Sequence, residues 1–292
     1  MSAAPSAQIP PVYHHLVGDI QVTALSDGTL ERSLELLRSI QADEAQKLLA
    51  DAFRPGVVIS VNAFVLRSNG RSILIETGSG KYLGASAGHL LSNLAAAGIS
   101  PASIDTILLT HMHPDHSAGL TDMTTGKAHF PNAELVVHEN EPRHWDDDAA
   151  MARGTERQKL LFFQQARDQM APYRKRMRTF RQGEVAPGIT AIPCHGHTPG
   201  HSAYLVASGG RQLLIWGDMV HIPEVQIPRP EVTIDFDSDP RAAAASRRRI
   251  FDMVASDRLL VTGMHLHFPG FGHLSRDGNG YRFHPQAWQQ TF

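Results

Sequence analysis

Four side chains able to bind a metal fall within the six residues His111-Met112-His113-Pro114-Asp115-His116. Imidazole and carboxylate together suit zinc first, and also manganese, cobalt or iron. In an extended backbone alternate residues share a face, so His111 and His113 point the same way as a strand ends. Pro114 interrupts the regular backbone. Asp115 and His116 are then placed to turn toward a second ion, and two-metal hydrolytic sites hold their ions roughly 3.5–4 Å apart. Three further segments supply matching groups: Cys194-His195-Gly196-His197-Thr198-Pro199-Gly200-His201, then Asp218, then His265.

These groups need strands to deliver them. The apolar run 104–110 reads as a buried strand leading into His111, and 189–192, 213–216 and 259–262 as strands preceding His197, Asp218 and His265. Acidic or imidazole groups thus stand at four strand ends, and open αβ sheets present their ligand sites at the carboxyl ends of strands. Further strands are expected at 20–25, closed by a Ser26-Asp27-Gly28 turn, and at 57–66 and 72–75, a hairpin about Ser68-Asn69-Gly70. Strands at 134–138 and 203–206 complete the set. Helical spacing appears over 31–52, 85–97, most of 140–179, and 240–256. The stretches 72–78 and 212–218 echo each other, each an apolar strand ending in an acid beside glycine, Glu76 and Asp218. This predicts two similar αβ halves packed sheet to sheet with helices outside. Residues 1–17, rich in proline, read as an irregular N-terminal arm, and 18–292 as one domain.

Composition narrows the partners. With 292 residues and a formal net charge of −2, nothing points to nucleic acid or an anionic membrane. The basic runs Arg174-Lys175-Arg176 and Arg247-Arg248-Arg249 read as solvated helix faces. No apolar stretch reaches membrane-spanning length, and no signal peptide is visible. The single cysteine, Cys194, rules out an intrachain disulfide framework and leaves the compartment open. A small buried apolar role suits Cys194 better than ligation.

The pattern Thr-His-x-His-x-Asp-His at 110–116, then Gly-His-Thr-Pro-Gly-His at 196–201, then Gly217-Asp218, then a late His265, resembles the metallo-β-lactamase superfamily from about Val22 to His284. The resemblance implies an α/β fold, the four-layer αββα sandwich. It implies one ion held by His111, His113 and His197, a second by Asp115, His116 and His265, and Asp218 bridging them. The segments 24–29, 265–270 and 280–283 are similar to the methyl parathion hydrolase and aryl-lactonase branch, which implies a homodimer. Glu76 stands where the family usually has Asp, an acid expected to orient a ligand from behind. His221 stands where phosphotriesterases of that branch carry Leu, and some lactonases of the superfamily carry a Tyr that meets the lactone oxygen.

By resemblance, Trp145, one of Phe162 and Phe163, Ile234 and Phe236 belong to the pocket wall. Helical aromatic spacing alone would place the aromatics in the core. His195 and His201 are expected to flank the site without ligating, and His267 and His273 to line its mouth. Paired ions lower the pKa of a water from about 15.7 toward 7. Asp218 is expected to anchor them, Asp115 to accept a proton and His221 to meet substrate. The function expected is hydrolysis of small lactones or aryl esters, with side activity on organophosphate triesters. A primary organophosphate triesterase, or another hydrolase of the superfamily such as a thioesterase, is the alternative.

Overall fold

A computed structural model describes residues 8–291. The strands are β1 (Val12–Val17), β2 (Ile20–Arg32), β3 (Leu37–Arg38), β4 (Val57–Ser68), β5 (Arg71–Ile75), β6 (Thr106–Leu108), β7 (Glu134–His138), β8 (Met177–Phe180), β9 (Gly183–Ala186), β10 (Ile189–Pro193), β11 (Ser202–Ser208), β12 (Arg211–Ile215), β13 (Thr233–Ile234), β14 (Leu260–Thr262), β15 (Gly272–Asp277) and β16 (Gly280–Pro285). The helices are α1 (Ala42–Asp51), α2 (Leu90–Ala96), α3 (Pro114–Ser117), α4 (Asn140–Trp145), α5 (Asp148–Arg153), α6 (Glu156–Gln158), α7 (Gln165–Met170), α8 (Pro223–Gln226) and α9 (Pro240–Asp257). None of them is long and apolar enough to cross a membrane.

One sheet runs β1-β2-β4-β5-β6-β7-β8 and the other β16-β15-β14-β12-β11-β10-β9. The alternation of strand side chains explains why the sheets pack face to face. Phe64, Leu66, Ile73, Ile75, Leu108 and Val136 leave the first sheet on one side and meet Tyr204, Val206, Leu213 and Ile215 of the second. Their neighbours Val65, Leu74, Ile107 and Leu135 point the other way, into a core closed by α2 and α7. Leu214 and Trp216 likewise point outward onto Ile250, Phe251 and Val254 of α9. Strands apolar on both faces must be covered on both, which gives the helix, sheet, sheet, helix order. The chain therefore has the metallo-β-lactamase fold, two mixed sheets flanked by helices.

Several expectations change. Residues 12–17 are not an irregular arm; they pair along β2 as the edge strand, while residues 1–7 lie outside the described residues. Ser26-Asp27-Gly28 does not end a strand. β2 runs through it with a bulge, and the Asp27 carboxylate accepts from the amides of Ser79, Gly88 and Leu90. The predicted helix over 31–52 is confined to α1, and that over 85–97 to α2. The 57–75 hairpin is present, with Asn69 and Gly70 at positive φ of 51° and 75° as a tight two-residue turn demands. Arg247 is not on a solvated face. It is fully buried and donates to the carbonyls of Met219, Pro230 and Val232. Burial lowers its pKa to about 10.

Candidate metal centre

β5, β6, β10, β12 and β14 all end along one edge of the sandwich, and each is followed by a loop carrying a polar group inward. After β6, His111 and His113 leave the sheet together. Pro114 then occupies the first turn of α3, where its missing N–H costs nothing, and α3 turns Asp115 and His116 across the site. After β12 the chain bends at Gly217, with φ of 61°. A Cβ at Gly217 would also strike the His201 ring, so glycine is required twice over.

The ligand atoms of His111, His113, His197 and Asp218 all lie within 4.8 Å of one another, and so do those of Asp115, His116 and His265. Oδ2 of Asp218 sits between the two groups. Around it stand Nε2 of His221 at 3.1 Å, of His116, His197 and His265 at 3.2 Å each, and of His111 at 3.6 Å. All six of these residues are buried. Burial alone would raise the Asp218 pKa, yet the surrounding imidazoles hold it well below the usual carboxylate range. Asp115 lies at 3.6 Å from both His116 and His265 and keeps some exposure to the cavity above.

The outer nitrogen of each imidazole fixes which tautomer faces inward. His265 donates from Nδ1 to the Ser60 carbonyl at 2.7 Å, which turns its Nε2 inward. Nδ1 of His197 is held by the Asp237 carboxylate at 2.8 Å, and Nδ1 of His111 by the Thr110 hydroxyl at 3.0 Å. Burial disfavours charge on His197, but Asp218 and Asp237 together raise it to about 9. His201 is a different case. Its Nδ1 donates to the Cys194 carbonyl and its Nε2 accepts from the Asp218 amide at 2.9 Å. Both nitrogens are used, and burial lowers its pKa to about 3. His201 therefore orients Asp218 without a lone pair to offer a metal.

The donor set fits a pair of divalent cations. Oδ1 of Asp218, Nε2 of His111 and both ring nitrogens of His116 are buried with no hydrogen-bond partner, a costly state for polar atoms in a protein interior. Nδ1 of His113 and Nε2 of His197 face each other at 2.9 Å. Two lone pairs at that distance need a proton or a cation with them.

Carboxylates behind the ligands brace the loops. Glu76 accepts from the Thr110 amide at 2.8 Å and lies 3.5 Å from His116 Nδ1, so the longer acid still reaches a ligand. Glu141 on α4 was not expected. Fully buried, it accepts from the Met112 amide, the Trp145 indole, the Thr198 hydroxyl and the Gly200 amide, joining the loop of His111 and His113 to the loop of His197. Burial raises the Glu141 pKa above the ordinary carboxylate range, and these four hydrogen bonds pull against that rise. Asn62 was also missed. Its side chain donates to the carbonyls of Gly263 and Leu266 and its amide to Met264, clamping the loop of His265.

Above the centre lies a narrow cavity of about 70 Å³, walled by Leu30, Ile59, Leu83, Leu161, Phe162 and Phe236, with Asp115, Asp218, His221 and His265 at its floor. A π-helical turn over Lys159–Gln164 aims Phe162 at the cavity and Phe163 at the core. Trp145, Phe163 and Ile234 do not line the cavity. The Trp145 indole N–H takes Glu141 as its partner and its ring backs His113, Phe163 packs on Trp145, and Ile234 pairs with Leu37. His267 and His273 are also elsewhere, bound to Glu224 and to the Leu259 carbonyl. His195 meets His138 edge to face. Cys194 is buried outside the ligand groups, its thiol pushed up to about 11 by burial. His221, expected to meet substrate, reaches further in: its Nε2 forms a third close group with Asp218 and His265. Burial lowers it to about 4 against the pull of Asp218.

Comparison with known proteins agrees with this geometry. Residues 56–265 match the family model of the metallo-beta-lactamase superfamily. The structure of hydrolase AbOPH in the beta lactamase superfamily superposes with a TM-score of 0.90 at 34% identity, covering 97% of this chain and 100% of that one. AidC, a dizinc quorum-quenching lactonase solved with the product N-hexanoyl-L-homoserine, also gives a TM-score of 0.90, at 23% identity, over 96% of this chain and 99% of its own; at that identity the likeness speaks for the fold. N-acyl homoserine lactonase AiiB of Agrobacterium fabrum strain C58 is 29% identical over 101 residues, 28% of this chain and 34% of that protein, so the match spans about a third of that relative. With the matched family model covering both ligand groups, the chain belongs to the metallo-β-lactamase superfamily.

Proposed function

We propose that the protein hydrolyses small lactones or aryl esters with the help of two divalent cations, zinc foremost, and has side activity on organophosphate triesters. One observation carries the reading: five imidazoles converge on a single buried carboxylate oxygen at the floor of an apolar cavity. The name of AiiB supports the lactone side, and the polar His221 near the floor supports it over a triester-first enzyme.

In this reading His111, His113 and His197 hold one cation, Asp115, His116 and His265 the other, and Asp218 both. When bound, such cations acidify water and polarise a carbonyl or phosphoryl oxygen. The side chains do the rest. Asp115, open to the cavity, accepts the proton that the attacking water gives up. His221, on the cavity floor with its Nε2 3.1 Å from Asp218, contacts the ring or acyl oxygen of the substrate. Phe162 and Phe236, with ring centroids 6.2 Å apart, wall off water and receive the apolar arm.

The test is metal analysis of the purified protein followed by turnover of an aryl lactone, an acyl-homoserine lactone and a paraoxon-type triester. Two ions per chain with lactone turnover exceeding triester turnover is the expected result. No turnover of any of the three by fully loaded protein would defeat the reading. Triester turnover exceeding lactone turnover would make organophosphates the primary substrates.

A further inference from the structure

The apolar cavity has a charged rim that hydrolysis of a neutral ester does not use. Arg157 on α6 and Arg32 at the end of β2 both line it. Arg157 is exposed and, among the described residues, makes no hydrogen bond or ion pair. Its charged neighbours are spent on each other, Lys159 on Glu156 at 2.7 Å. Arg32 donates to the backbone carbonyl of Glu31 at 2.8 Å and, among the described residues, has no carboxylate partner. By contrast Arg38, Arg54, Arg174 and Arg229 are each answered by an acid at 2.5–2.8 Å. The acids lining the cavity are Asp115 and Asp218, at its floor and committed to the imidazoles. A cleft that presents one sign of charge between low-dielectric walls focuses its field on what enters.

We propose that the substrate bears a second, anionic group, a carboxylate, separated by a short apolar spacer from the ester or lactone bond, and that Arg157 and Arg32 receive it. The proposal rests on the hydrolase reading above and names the substrate class for that same cavity. The guanidinium fork suits a carboxylate in two-point geometry. The spacer lies along Phe162, Phe236 and Leu30, and the reactive carbonyl reaches the floor.

The test compares mono(4-nitrophenyl) glutarate with 4-nitrophenyl pentanoate, two esters of equal chain length that differ in the terminal charge. The zinc-loaded wild type is set against the double variant R32Q/R157Q and the charge-retaining R32K/R157K. The ratio of kcat/KM for the glutarate over the pentanoate ester is expected to fall about tenfold in the glutamine variant, equivalent to about 1.4 kcal/mol. It is expected to recover largely in the lysine variant, and to fall in the wild type as salt screens the rim. An unchanged ratio, or equal proportional loss on both esters, overturns the proposal. If the loaded wild type turns over neither ester, the hydrolase reading takes the blow, and equilibrium binding decides the anion question. Calorimetric titration of monomethyl glutarate and of methyl pentanoate, an anion and its neutral counterpart, into both proteins then applies. Monomethyl glutarate losing about tenfold in affinity in R32Q/R157Q while methyl pentanoate does not supports the arginine site; equal losses refute it.

Discussion

Glu76 and Asp218 follow corresponding strands in the two halves of the molecule, Glu76 directly after β5 and Asp218 three residues past the end of β12. β4 and β5 form an antiparallel hairpin and β5 then pairs in parallel with β6; β11, β12 and β14 repeat that arrangement. Each acid follows the strand at the hairpin's second arm. Their surroundings differ. Glu76 points back along its own sheet, fixing the Thr110 amide and standing behind His116. Asp218 is pushed forward by the bend at Gly217 into the circle of imidazoles. Left-handed residues follow both strands, Glu76 itself at φ of 66° and Gly217 at 61°, and the longer reach past β12 carries Asp218 inward; duplicated architecture does not imply duplicated chemistry.

Substitutions can break that contrast. Asp218→Asn is expected to have the largest effect, a loss of turnover on the order of 10³-fold, the upper end for one electrostatic catalytic group. It should also abolish the stabilisation that bound ions give. Chelation is expected to lower the stability of the wild type by about 4 kcal/mol if ions are present at about 1,000 times their Kd, and to leave Asp218→Asn nearly unmoved in thermal melts. Equal chelator sensitivity of the two proteins would put the bridge elsewhere. Next, His221→Leu is expected to lower lactone turnover by about 10²-fold, the low end for a single group that stabilises charge on a substrate oxygen, while triester turnover holds or rises. If zinc affinity falls in parallel, His221 belongs with the ligands, as its nearness to Asp218 and His265 allows. Glu76→Gln is expected to weaken zinc binding about tenfold, as loss of a carboxylate behind a ligand does, with kcat of the loaded enzyme within a few-fold. The smallest effect is expected for Cys194→Ala, no change in zinc stoichiometry and a stability cost of about 1 kcal/mol from a small cavity; loss of an ion would make the thiol a ligand.

The ligands were legible because their spacing is local. His111 to His116 lie in one short run, and every other candidate follows an apolar strand, a pattern visible without contacts. The braces were not, because their partners are distant. Glu141 sits in a polar helical stretch that reads as solvent-facing, and only the fold brings Thr198 and Gly200 to it. Asn62 is one polar residue in an apolar strand, and its partners lie about 200 positions on. Arg247 belongs to a basic run whose neighbour Arg248 pairs with Glu231 at the surface, so charge alone misplaced it. The pocket wall was half legible: Phe162 and Phe163 are adjacent, and the π-helical turn decides which one faces the cavity. Strands β1, β8, β9, β15 and β16 lie in the outer parts of the sheets, where exposure dilutes the apolar alternation that marks a strand.

The Asn62 clamp bears on how the chain comes together. Its carbonyl partners belong to residues made some 200 positions later, and His265 travels with them. A ribosome releasing the chain from its N-terminus exposes His111, His113, Asp115 and His116 long before the loop that carries His265. Such non-local pairing slows folding and leaves partly built states open to association. During synthesis the early imidazoles therefore wait on loops made much later, and the cluster closes only when the Asn62 clamp forms.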